Sequence, residues 1–82
     1  MPRYFFDVHD GRFIRDDEGV ELAGIADARK AVWDTLPAFA TQRDADGNMA
    51  YQLRMDVRDE SGKHVLHAAL AFVMEPVHDL AS

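Results

Sequence analysis

A chain of 82 residues with 48% hydrophobic, 10% aromatic and 29% charged positions has the composition of one globular domain and is too short for two. Its net charge of −6, with nine Lys and Arg scattered along it, argues against the clustered cations on which nucleic-acid and anionic-membrane binding depend. With no cysteine, disulfides and thiolate zinc sites are excluded and a reducing compartment is expected.

The opening Met1-Pro2-Arg3-Tyr4 has no apolar leader run. The longest apolar run, Ala68 to Met74, is too short to span a bilayer, so a cytoplasmic location is expected. Arg3 to His9 reads as a first strand and Arg12 to Asp16 as a second. They are joined by Asp10-Gly11, a pair that supplies the positive φ a two-residue hairpin turn needs. That loop length sets Val8 opposite Phe13 and Phe6 opposite Arg15 on one face. On the other, Phe5, Asp7 and His9 lie opposite Asp16, Ile14 and Arg12. Both faces then carry apolar groups, whereas a sheet with one wet face alternates cleanly, so Phe5 and Ile14 need a cover.

Asp16-Asp17-Glu18-Gly19 forms a turn and Val20-Glu21-Leu22 an extended stretch. Ile25, Ala28, Val32, Leu36 and Phe39 then recur at helical spacing, with Trp33 flanking the stripe. Gly24 serves as N-cap and Asp27 suits the positive helix end. An interior proline costs a helix roughly 3 kcal/mol. Pro37 therefore predicts a kink or break near Leu36, a short turn from Phe39 to Thr41 and a solvated loop over Gln42 to Asn48.

Leu53, Met55 and Val57 alternate with Gln52, Arg54, Asp56 and Arg58, the pattern of a half-buried strand; Ser61-Gly62 turns the chain and Val65 to Phe72 returns. Pairing Val57 with Leu66, Met55 with Ala68, Leu53 with Leu70 and Tyr51 with Phe72 makes every pair on one face apolar. A one-residue slip would set Asp56 against Leu66, so burial selects the first register and places Asp56 beside His67 on the opposite face. The sum is an α+β fold, ββαββ, a four-stranded and mainly antiparallel sheet with one helix on one face. Residues 1–82 form a single domain with a tail over about 74–82. Phe6, Val8, Phe13, Leu53, Met55, Val57, Leu66 and Leu70 are expected to meet Ile25, Val32, Leu36 and Phe39 in the core. The first and last strands, apolar on both faces, are expected at the centre of the sheet.

The segments Met1-Pro2-Arg3-Tyr4-Phe5-Phe6-Asp7-Val8, Asp10-Gly11, Asp17-Glu18-Gly19-Val20-Glu21-Leu22 and Ala28-Arg29 resemble a small bacterial family of unknown function (DUF6894-like). So do Val57-Arg58-Asp59-Glu60-Ser61-Gly62 and Val65-Leu66; chains of that family open Pro-Arg-Tyr-Phe-Phe. The resemblance covers about Pro2 to Leu66 and implies a stand-alone domain with no assigned activity and no site residues to carry over. The chain departs from the family pattern at Asp7, where histidine is common, and at Pro37, in a helix usually free of proline.

No catalytic residue and no cofactor is expected. Nucleophile-elbow, Walker and dinucleotide glycine patterns are missing, and Ser61 and Ser82 fall in a turn and a tail. Paired carboxylates would need a deep cleft, which one helix on four strands rarely leaves. On a strand, the odd step between His64 and His67 sends them to opposite faces, so they share no ion without a bulge. Only His67 and His9, with Asp7 and Asp56 as oxygen donors, share a face. They form the candidate ligand or metal set, beside the plainer reading that His67 pairs with Asp56 and His9 caps a hairpin. Asp16-Asp17-Glu18 and Asp44-Ala45-Asp46-Gly47-Asn48 lack the full spacing of a calcium loop and read as solvated turns.

The positive signal is the helix-free face, where Phe5, Ile14, Val65, Ala69 and Ala71 are expected among Arg12, Arg54 and Arg58, an apolar centre with a charged rim. Its cover is either a second copy of the chain or the C-terminal tail. Two-fold dimers are the commonest assembly. The expected function is therefore a non-enzymatic homodimeric interaction module with an unknown protein partner, acting through that face or an unpaired edge strand.

Overall fold

A computed structural model describes residues 1–44, 50–73 and 77. The chain forms an α+β fold with strands β1 (Arg3–His9), β2 (Phe13–Ile14) and β3 (Val20–Glu21), helix α1 (Ile25–Asp44), and strands β4 (Ala50–Arg58) and β5 (His64–Val73). The antiparallel sheet has the order β2-β1-β4-β5, and β3, read from sequence as merely extended, pairs with the start of β1. None of the described helical segments is long and apolar enough to cross a membrane.

Burial organises the sheet into two unlike faces. Tyr4, Phe6 and Val8 of β1 alternate with Phe5, Asp7 and His9, and Leu53, Met55 and Val57 of β4 alternate with Gln52, Arg54, Asp56 and Arg58. The first set of each strand meets α1, where Ala28, Val32 and Leu36 complete the buried cluster and Leu22, Phe39, Leu66 and Leu70 pack around it. Gly24 O accepts the N–H groups of Asp27 and Ala28 at 3.2 Å, the N-cap geometry its position predicts.

The β4–β5 register is the predicted one: Val57 faces Leu66, Met55 faces Ala68, Leu53 faces Leu70 and Asp56 faces His67. The β1–β2 register is not. Val8 pairs with Ile14 and His9 with Phe13, one residue away from expectation, because the loop holds three residues and Asp10 N donates to Arg12 O at 2.9 Å. Gly11, at φ 72°, supplies the left-handed residue such a loop requires. A one-residue slip exchanges faces. Ile14 therefore leaves the helix-free side, and Phe13, expected in the core, joins it at 55% exposure.

Four further expectations are corrected. Helix α1 runs unbroken through Pro37 to Asp44. Proline removes one intrahelical donor, the partner of the Trp33 carbonyl, and burial of Leu36 and Phe39 on either side outweighs that loss. Ile25 is 43% exposed rather than a core residue. β5 is an edge strand, not a central one, since the small Ala69 and Ala71 on its outer face need no cover. Val65 sits at a bulge between the Val57 and Arg58 pairings and packs on the core cluster instead of the helix-free face. Gln42, Arg43 and Asp44, expected in a loop, continue α1 instead; residues 45–48 of that loop and, apart from residue 77, the tail expected over about 74–82 lie outside the described residues.

Candidate functional site

The helix-free face is a lattice of charge, not an apolar patch. Asp7 and Asp56 stand directly opposite each other on β1 and β4 and both are buried. Like charges at opposed positions repel; here each carboxylate turns to its own partners. Arg58 Nε donates to Asp7 Oδ2 at 2.9 Å and its Nη2 to Asp7 Oδ1 at 3.3 Å, a bidentate fork. The same Nη2 donates to the Asp16 carbonyl at 2.7 Å, and the guanidinium lies 4.6 Å above the Phe5 ring. Phe5 thus finds its cover inside the chain, from Arg58 and from Gly19, whose φ of 71° brings the turn so close that a Cβ there would stand 2.8 Å from the ring.

Asp16 is the second organiser. Its carboxylate accepts the N–H groups of Phe6, Glu18 and Gly19 at 3.0–3.1 Å, while its own N–H donates to Asp7 Oδ1 at 2.9 Å. The acidic turn is therefore a staple fastening residues 16–19 to β1. The signal was present in the sequence as an Asp three residues before a Gly, the spacing of an Asx-type turn.

Asp56 gathers the histidines. His67 Nδ1 lies 2.6 Å from Oδ1, His9 Nε2 lies 3.2 Å from Oδ2, and Arg54 Nη2 lies 3.5 Å from Oδ2. Arg54 Nη2 also lies 3.0 Å from His9 Nε2, so that nitrogen accepts from the guanidinium when unprotonated and donates to Asp56 when protonated. Of the expected ligand set, His9 and His67 converge on Asp56, while Asp7 belongs to Arg58. Among the described residues no group of three or more His, Asp or Glu is disposed to hold a metal ion.

Burial pushes the Asp7 carboxyl up, but the Arg58 fork and the Asp16 N–H outweigh it and hold it below the ordinary range. In the same way burial of Asp16 is outweighed by the N–H groups of Phe6, Gly19 and Glu18, and burial of Asp56 by His67 and Arg54. None of the three stays protonated near neutrality, as a general acid must. Carboxyls depressed in the folded chain contribute stability above their unfolded value and lose it as pH falls through the folded one. The urea midpoint should hence be level above about pH 5 and fall steadily from about pH 4 downward. Denaturation curves followed by circular dichroism at several pH values check this, and a midpoint unchanged on acidification would contradict it.

Of the residues expected at an interface, Arg58 and Arg54 are engaged within the lattice, and Ala69 and Ala71 are exposed on the helix-free side of β5. A second feature, legible only in the fold, lies at the other face. Between α1 and β5 runs a groove of about 600 Å³, walled by Ile25, Val32, Trp33, Leu36, Leu66 and Leu70. Trp33 is 78% exposed at its mouth. Its position beside the Val32–Leu36 stripe was the available signal, because a residue one step off a buried stripe points about 100° away from it.

A model of a family described as a domain of unknown function (DUF6894) matches residues 3–71. No curated protein and no solved structure matches the chain.

Proposed function

This chain belongs to the DUF6894 family of domains of unknown function, and we propose that it acts as a non-enzymatic module that pairs with a second copy of itself through the outer edge of β5. The observation that carries the reading is an edge strand without charge or proline, open among the described residues, beside a mainly apolar groove that also holds Arg29 and His67. Strand β5 has ten residues and, among the described residues, one strand neighbour, β4. Edge strands are usually blunted by charge or proline, and His64–Val73 contains no Lys, Arg, Asp, Glu or Pro. Alongside lies Trp33, the residue type most enriched among interface anchors.

The pattern of β5 favours a second copy as the occupant. Antiparallel pairing about Ala68 would set Leu66 opposite Leu70 of the second copy, and Ala68 opposite itself, on the face toward the groove. Large meets large and small meets small, leaving room above the alanines for the two Trp33 rings. The neutral strand also lets two chains of net charge −6 meet without acid opposing acid. With no cysteine in the chain, we place this module in the cytoplasm.

Trp33 is the single tryptophan, so its fluorescence reports the contact directly. Light scattering is expected to show a dimer at about 100 μM, well above a micromolar Kd, with emission shifting to the red on dilution. Trp33→Glu should give a monomer with unchanged circular dichroism. A native chain that is monomeric at that concentration overturns the reading.

A further inference from the structure

We propose that the cleft beside the β1–β2 turn is a binding site for a small phosphate-bearing ligand. The cleft, of about 380 Å³, is lined by His9, Gly11, Arg12, Phe13, Gln52 and Arg54. That volume falls within the range of small-molecule sites. It lies on the β2 side of the sheet, away from the β5 edge, and goes beyond the pairing proposed above.

Three observations point to an anion. Among the described residues the lining contains no carboxylate, although the chain has fifteen Asp and Glu against nine Lys and Arg. The ion pairs among the described residues engage Arg3, Arg15, Arg54 and Arg58, and Arg12 is in none of them. Arg54 engages His9 and Asp56 through Nη2, which leaves its other N–H donors for a guest. The neighbouring Asp56 is compensated in place by His67, His9 and Arg54, so its charge does not stand alone against an incoming anion.

The donor set suits phosphate better than carboxylate. One guanidinium already satisfies both oxygens of a carboxylate. Here two guanidiniums, an imidazole and an amide approach from a turn and two strands, enough for the three or more oxygens of a tetrahedral group. Gly11 leaves the rim open, since even a Cβ there would meet nothing within 4 Å. The exposed Phe13 ring, tilted against His9 at 4.7 Å between centroids, gives a flat wall for whatever the phosphate is attached to.

The test is an amide NMR titration of the full chain with inorganic phosphate and with phenyl phosphate, side by side at constant ionic strength. Saturable shifts confined to His9, Gly11, Phe13 and Gln52 are expected. Arg12→Gln, at an exposed turn, should weaken binding about tenfold through loss of one charge-assisted contact. Phenyl phosphate gains the Phe13 wall and inorganic phosphate does not, so tighter binding of the ester, lost in Phe13→Ala, identifies an organic phosphate. Equal binding of both identifies free phosphate; either result supports the site. Shifts that rise linearly to about 20 mM with both probes, or that Arg12→Gln leaves unchanged, overturn it. Trp33→Glu should bind phosphate as the native chain does, so a failure of self-pairing and a failure of this site are read separately.

Discussion

Asp7→Ala is expected to lower folding stability by about 3 kcal/mol or more, against the roughly 4–12 kcal/mol available to a chain of this size. Asp7 is 4% exposed, and its two oxygens serve the Arg58 fork and the Asp16 N–H at once. Removing the carboxylate leaves a guanidinium facing an apolar ring without its counter-charge, together with an amide that has lost its acceptor. Urea denaturation should therefore show a markedly lower midpoint, and the melting temperature should fall by roughly 12–24 °C. Asp7→Asn keeps an acceptor but not the charge and should fall between. Adding Arg58→Met to Asp7→Ala should recover part of the loss, since no unpaired charge then remains at the site. A loss below about 1 kcal/mol would mean that the pair behaves as an ordinary solvated surface bridge.

The second large effect is expected at Leu53. This side chain is fully buried between α1 and the sheet, paired across the ladder with Leu70, and Leu53→Ala opens a cavity that the surrounding strands close only in part. The expected cost is about 3 kcal/mol, with Leu53→Met below about 1.5 kcal/mol because the volume is kept. The same urea curves check both, and a loss near that of the methionine variant would show that the site collapses around alanine. Leu53 and Asp7 lie on opposite faces of the sheet and share no partner, so their losses should add within about 0.5 kcal/mol.

These two positions show how unevenly the molecule was legible. Leu53 could be placed, partner included, because β4 alternates strictly and a slip would bury Asp56; where one face must be apolar, the pattern admits one register. The same logic places His67 beside Asp56, and that pair stands at 2.6 Å. β1 gave no such purchase. Phe5 and Phe6 are apolar on consecutive positions, so either register of the β1–β2 hairpin buries something, and the three-residue loop at Asp10-Gly11 decides what the pattern leaves open. Ile14 and Phe13 exchanged faces as a result. Spacing alone sets Trp33 beside the buried stripe, but the groove it overlooks exists because β5 is an edge.

Periodicity and turn chemistry along the chain determined the α+β class, the span of β1, the start of α1 and the β4–β5 ladder. All of these depend on residues within a few positions of one another or on a single apolar face. The tertiary structure alone decided that Arg58 reaches Asp7 and Asp16, 51 and 42 residues away, and that Asp16 staples its turn to β1. It also decided that α1 continues through Pro37. The physical reason is common to all three. A carboxylate or a proline carries a local cost that any sequence position displays, whereas the partner that offsets it is brought there by packing of distant segments.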